Sequence, residues 1–242
     1  MKYVNILHLY SKTLDLVGDF KNLDALCMRI RECGCAYAVS RVEFGEAISL
    51  EGVDFVYVGH GKCRNLSAVS EHIIQYREEF ARAVEAGTVF LVTGSARLLF
   101  GQSFETQDGE THEALGLFDY TGKEFDGLTV RDELLHPVFL PEETVFGCVN
   151  RSENLYFKGE NPTPLFTVER GYSDNERTGG TEGTLYRNFF GTWSLGPVLV
   201  RNPCLMREVL RRLLGEDYRD GDYSLEQEAL DRVLREIRKS AR

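Results

Sequence analysis

Thr88-Val89-Phe90-Leu91-Val92-Thr93-Gly94-Ser95-Ala96-Arg97-Leu98-Leu99 is the stretch that decides the fold. Its first half is a short apolar run rich in β-branched and aromatic residues, which reads as a strand. The run stops at Thr93-Gly94-Ser95-Ala96, and Arg97, Leu98 and Leu99 continue in a helical register. The stretch predicts a strand-turn-helix elbow. Upstream, strand and helix patterns alternate. Tyr3 to Tyr10 reads as a buried strand, and Asp19 to Glu32 as a helix with Leu23, Leu26, Cys27 and Ile30 on one face. Ala36 to Val42 reads as a second strand, and Phe55 to Val58 as a third that ends in Gly59-His60-Gly61. Ser67 to Ala86 reads as one long helix leading back to the elbow. That order predicts a parallel sheet wrapped by helices.

From Phe104 onward glycines become frequent and helical periodicity disappears. Ala114 to Tyr120, Thr144 to Val149, Phe166 to Gly171 and Gly183 to Asn188 read as short strands. All six prolines fall after residue 136, which matches a loop-rich second half. Asn202-Pro203 reads as a helix start, with Asn at the cap and Pro in the first turn. A last helix from Ser224 places Leu225, Ala229, Leu230, Val233, Leu234 and Ile237 on one stripe. No linker or internal repeat interrupts the chain, so residues 1–242 read as one domain with a C-terminal helical extension over about 216–242.

The 242 residues carry 28 Lys plus Arg against 38 Asp plus Glu, a net charge of -10, and 43% are hydrophobic. A chain of this size has enough apolar sequence for a substantial core. Its acidity argues against a nucleic-acid partner, because neutralising phosphates takes a basic face. Between Phe104 and Glu133, nine Asp or Glu face only Lys123 and Arg131. Such a run reads as a solvated surface, or as a face for a basic partner. The opening apolar run is broken by Asn5 and His8, so it lacks the shape of a signal peptide, and no stretch is long and apolar enough to span a membrane. A cytoplasmic protein is expected. There the six cysteines (27, 33, 35, 63, 148 and 204) need not pair. The cluster of Cys27, Cys33 and Cys35 has no CxxC partner or neighbouring His, and no metal site is expected from it.

Two stretches resemble the class I glutamine amidotransferases of the cobyric acid synthase type, especially the small glutaminase subunit of lipid II isoglutaminyl synthase. The first runs from Asp54 to Glu105 and includes Gly59-His60-Gly61, the elbow and Leu98-Leu99-Phe100-Gly101. The second comprises Gly171-Tyr172-Ser173-Asp174-Asn175, Gly180-Thr181-Glu182-Gly183, and Asn188 through Pro197 with Asn202-Pro203. Leu16-Val17-Gly18-Asp19 and Asn22 also look like that subfamily. The resemblance implies an α/β fold of flavodoxin-like three-layer type with a mostly parallel sheet. It implies no cofactor, a Mur ligase-like synthetase as partner, and peptidoglycan modification as the setting.

What the family does rests on thiol chemistry. A Cys on the elbow attacks the glutamine side-chain amide, a His from a distant loop activates it, and backbone N–H groups of the elbow and the glycine loop stabilise the oxyanion. In this sequence Thr93 stands at the Cys position and Leu195, in Gly191-Thr192-Trp193-Ser194-Leu195-Gly196-Pro197, at the His position. His60 replaces a Gly of the loop, and Arg97 stands where the family has Gln. A Thr hydroxyl depends more heavily on an adjacent base than a thiol does, and Leu195 supplies none. The expectation is therefore a protein with no catalytic pair intact and glutaminase activity lost, serving as a non-catalytic or regulatory subunit. Gly59, His60, Gly61, Gly94, Ser95 and Arg97 remain candidates for the pocket and oxyanion loop. Two alternatives stay open. One is an active amidotransferase or hydrolase that uses Thr93 or Ser95 with His60, or Cys63 as a relocated nucleophile. The other is a sensor that takes a small ligand in the vacated pocket, with Arg97 and His60 as anchors. Arg97 could equally close that pocket by pairing with an acidic residue.

Overall fold

The computed structural model describes residues 2–158, 163–175 and 177–240. Met1, positions 159–162 and 176, and the last two positions of the expected C-terminal extension lie outside the described residues. In chain order the elements are β1 (Tyr3–Leu9), α1 (Lys21–Glu32), β2 (Ala36–Val42), β3 (Phe55–Val58), α2 (Cys63–Ile73), α3 (Arg77–Ala86) and β4 (Val89–Thr93). There follow β5 (Ser103–Glu105), β6 (Thr111–Glu113), β7 (Tyr120–Pro137), β8 (Val145–Phe157), β9 (Phe166–Arg170), β10 (Thr181–Glu182), β11 (Thr184–Tyr186) and β12 (Phe189–Thr192). α4 (Val198–Arg201), α5 (Pro203–Leu214) and α6 (Ser224–Ser240) complete the chain.

The fold is α/β, with two mixed sheets. The first has the order β11-β12-β4-β3-β1-β2. Its pairs from β12 to β2 are parallel, and β11 joins antiparallel at one edge. The central strands are apolar on both sides because helices cover both sides. Val56, Val58, Phe90 and Val92 pack with Leu66, Val69 and Ile73 of α2 and with Phe80 and Val84 of α3. Their neighbours Phe55, Tyr57, Val89 and Leu91 pack with Leu23, Leu26 and Ile30 of α1 and with Leu205, Val209 and Leu213 of α5. Burying each such side chain contributes roughly 1.5–3 kcal/mol.

The second sheet runs β10-β9-β7-β5-β6, with β8 paired to β7. It is antiparallel except between β5 and β7. Here the structure corrects the reading of short strands. Residues 114–119 form no strand, and the acidic run instead builds much of the 18-residue β7. Its middle, from Phe125 to Asp132, is largely solvated, and its apolar Leu128 and Val130 are exposed, so their spacing marks no core face.

Four helical expectations also change. Ser67 to Ala86 is broken by a 3₁₀ turn at Ile74–Tyr76, and α2 starts earlier, at Cys63. Apolar spacing is the same in a broken and a continuous helix, so periodicity does not register the break. The segment after the elbow is a 3₁₀ helix, Gly94–Phe100, buried at every residue, Arg97 included. Pro203 takes the first turn of α5, but the Asn202 side chain makes no cap. It holds Phe146 of β8 instead, accepting from its N–H at 2.8 Å and donating to its carbonyl at 2.9 Å and to Val198 O at 2.8 Å. On α6, Leu230 packs with Leu134 and Phe146, and Val233, Leu234 and Ile237 line the same contact. Leu225 and Ala229, expected on that stripe, are exposed.

Candidate functional site

Parallel pairing brings the carboxyl ends of β3, β4 and β12 together, and ligands of open α/β sheets bind at such strand ends. Thr93 closes β4 and lies in register with Thr192 of β12. Gly59-His60-Gly61 follows β3 on the other side of β4. Leu195 lies three residues beyond Thr192. It is buried, and its N–H donates to Cys148 O at 2.8 Å, which ties this segment to β8.

Thr93 is fully buried, and its hydroxyl donates to Oδ2 of Asp19. The same carboxylate accepts from Tyr57 Oη at 2.8 Å, Asn22 Nδ2 at 2.9 Å and the His60 N–H at 3.4 Å. Asp19 is itself fully buried; burial raises its pKa, and the bonds from Thr93, Tyr57, His60 and Asn22 oppose the rise. Thr93 thus points its hydroxyl into a closed polar knot. No sequence signal beyond the motif Leu16-Val17-Gly18-Asp19 marked Asp19 for this role.

His60 packs over the turn. Gly94 has φ +58°, and a Cβ there would come within 2.4 Å of the His60 ring, so both conformation and space require glycine. Nδ1 of His60 accepts the Ser95 N–H at 3.1 Å. The Ser95 hydroxyl donates to Gly61 O at 2.6 Å and accepts the Gly61 N–H at 3.2 Å. Burial pulls the His60 pKa down to about 4, so the ring is neutral at physiological pH. Its basic lone pair at Nδ1 is taken by a backbone amide, and its contact with Ser95 Oγ, at 3.1 Å, involves a hydroxyl whose proton is directed to Gly61. Cys63, read from sequence as part of the loop, opens α2 and is buried. Burial pushes its thiol up, which removes the thiolate a nucleophile needs.

Arg97 is fully buried and bridges two carboxylates: Nη1 meets Asp174 Oδ1 at 2.5 Å and Glu182 Oε1 at 3.4 Å. Glu182 also accepts from Thr192 Oγ1 at 3.1 Å and from the Trp193 N–H at 2.6 Å. The Trp193 ring lies between two guanidiniums, 5.2 Å from Arg97 and 4.7 Å from Arg151. Of the two roles open to Arg97, pairing with acidic residues is the one observed. The other guanidinium is less well matched. Arg151 donates Nη2 to Ser173 O at 2.8 Å, while its buried Nε and Nη1 have no hydrogen-bond partner among the described residues. Among the described residues, Glu133, on the neighbouring strand, accepts only the Tyr172 N–H, at 3.3 Å, and its Oε2 is unpartnered. Burial, and then the charge of Glu182, push the Glu133 carboxyl up to about 8. Asp174 and Glu182 lie in motifs that carry the resemblance; Glu133 and Arg151 do not, and nothing in the sequence marked them.

A cavity of about 350 Å³ opens beside the glycine loop. Of the candidate pocket residues, His60 and Gly61 line it, whereas Thr93, Gly94, Ser95, Arg97 and Leu195 do not. Its other walls include Cys63, Glu124, Arg151 and Glu153. Among the described residues, Nε2 of His60 makes no hydrogen bond.

No family model matches the chain. It is 27% identical, over 217 residues, to the lipid II isoglutaminyl synthase (glutamine-hydrolyzing) subunit GatD of Streptococcus pneumoniae (strain ATCC BAA-255 / R6), covering 89% of this chain and 82% of that protein. The subunit of the same name from Staphylococcus aureus (strain N315) is 27% identical over 203 residues, covering 84% and 81%. Among solved structures, PurLQS from Thermotoga maritima aligns with a TM-score of 0.50 at 13% identity, over 97% of this chain and 100% of that one. That is a likeness of fold alone. Among the described residues, no helix is long and apolar enough to cross a membrane. By sequence and over most of its length, the chain is similar to GatD subunits of lipid II isoglutaminyl synthase.

Proposed function

We propose that this chain is a single glutamine amidotransferase-like domain of the cobyric acid synthase type that has lost glutaminase activity. It acts as the non-catalytic or regulatory subunit of a Mur ligase-like synthetase in peptidoglycan modification, in the cytoplasm. The flavodoxin-like three-layer reading is supported by helices on both faces of the first sheet. The observation that carries the functional reading is the burial of Thr93. The residue at the nucleophile position has its proton held by Asp19 and no face open to substrate. Leu195 offers no base, and Arg97 fills the neighbouring volume with an ion pair of its own. Purified together with a Mur ligase-like synthetase, the protein is expected to release no glutamate from glutamine above the background of Thr93→Ala. Turnover in both proteins would overturn the assignment of inactivity and the role of the elbow together.

The hydrolase alternative, with Thr93 or Ser95 and His60, is poorly supported. Thr93 donates to Asp19, Ser95 donates to Gly61, and Nδ1 of His60 accepts a backbone N–H. The sensor alternative draws support from the cavity beside the glycine loop, although with His60 and without Arg97. A thermal-shift screen of amino acids and anionic metabolites tests it, because a ligand selective for the native state raises Tm.

A further inference from the structure

We propose that Cys63, Glu124 and Glu153 form a three-ligand site for a divalent transition-metal ion of zinc-like preference, open to the cavity beside the glycine loop. The Cys63 thiol and one oxygen of each carboxylate all lie within 4.8 Å of one another. The cluster is more than a group of acidic side chains at a surface. Glu153 is only 2% exposed and lines the cavity, yet it forms no ion pair. The hydrogen bonds it receives come from the adjacent Ser152, whose N–H lies 3.1 Å from Oε2, so no residue distant in sequence holds it in place among the described residues.

A second observation is independent of burial. Glu124 and Glu153 are directly opposed across the β7–β8 pair. Like charges at such a cross-strand position destabilise a sheet. Here the pair stands next to a bulge, where the register shifts after Glu124, and faces the buried Cys63 at the start of α2. Bulges re-aim side chains and gather around functional sites. Among the described residues, no Lys or Arg lies within ion-pairing distance of either carboxylate, although Lys62, Arg64 and Arg151 line the same cavity. A divalent ion removes the repulsion that these cations leave in place.

The donor set selects the class of ion. Without the ion Cys63 is a protonated thiol, and the ion binds it by displacing that proton to solvent. The resulting thiolate beside carboxylates suits zinc or cobalt better than magnesium or calcium, which take oxygen ligands. Bond lengths of about 2.0–2.3 Å in a tetrahedral site put its ligand atoms roughly 3.5 Å apart. Glu124, half-buried and accepting the Gln107 N–H at 3.0 Å through Oε2, must turn inward to close the difference. Three protein ligands leave a fourth position, and the cavity supplies the room for water or an anionic ligand there. The site is separate from Thr93 and Leu195 and does not depend on whether glutaminase activity is lost.

Cobalt titration of the full chain tests the proposal, with Cys33 and Cys148, the half-buried thiols, changed to Ser to keep the spectrum clean. One equivalent of cobalt is expected to produce a thiolate-to-metal charge-transfer band, removed by zinc and not by magnesium. Cys63→Ser is expected to abolish the band. Glu153→Gln and Glu124→Gln are expected to keep the band's character while weakening binding at least tenfold. Absence of the band in the starting protein, or a band unchanged in Cys63→Ser, overturns the site. Should Cys63→Ser fail to fold, cobalt affinity unchanged in Glu153→Gln overturns it equally.

Discussion

The knot around Asp19 and the group around Glu133 and Arg151 are both buried polar clusters, but they are completed differently. Asp19 has a donor for each oxygen: Thr93, Tyr57 and His60 on Oδ2, and Asn22 on Oδ1. Among the described residues, Glu133 and Arg151 leave three buried polar atoms without partners. A satisfied network fixes a unique arrangement; a partly satisfied one keeps free energy in reserve for a ligand, a proton or a rearrangement. The first cluster therefore works as scaffold, and the second is where the molecule can still respond to its surroundings.

Substitutions in and beside the two clusters separate the two behaviours. The largest effect is expected from Arg97→Ala, which leaves Asp174 and Glu182 buried without their cation and should cost about 3–5 kcal/mol in urea unfolding. A loss under 1 kcal/mol would show that water already reaches this ion pair. Gly94→Ala forces a Cβ into the His60 ring and a side chain into a left-handed backbone, and should cost about 2–3 kcal/mol. In a His60→Gly background only the backbone part should remain, so the two changes should be clearly non-additive.

The responsive cluster has a pH signature. Glu133 keeps its proton up to about 8 in the folded state, whereas the unfolded chain loses it near 4.5, so stability should fall as pH rises between those values. The carboxyls of Asp19 and Glu182, also raised by burial, act in the same direction. His8 and His60 act in the opposite one: lowered to about 4, they add stability as pH rises from there to 6.5 and nothing further above it. The window from 6.5 to 8 is therefore free of offset by these histidines, and the loss across it should be about 1–2 kcal/mol. Glu133→Gln should flatten the profile in that window, and an unchanged slope would assign the titration to another group. The smallest effect is expected from Thr93→Val, about 1 kcal/mol, because Asp19 retains its other three donors.

The parallel half of the molecule was legible in the sequence because its central strands are apolar on both faces and its helices amphipathic. The positions of β1 to β4 and α1 follow from that alone. The β7–β8 pair was legible only in part: Thr144 to Val149 reads as a strand, but the middle of β7 is solvated and its exposed Leu128 and Val130 mark no core face. The site divided along similar lines. Thr93, His60, Ser95 and Arg97 stand out because they interrupt a recognisable local pattern, whereas Asp19, Glu133, Arg151 and Glu153 take their meaning from partners distant in sequence. Charge composition could not reveal them, because an acidic residue reads as solvated until its neighbours are known.

Asn202 has a mechanical consequence. Its single amide is bonded to both backbone groups of Phe146 in the second sheet while its own chain opens α5 against the first. A force that peels β8 away from that helix must break these bonds together and not one after another. The joint should yield late and abruptly under load, so pulling on β8 ought to register as a single high-force event and not a gradual unzipping.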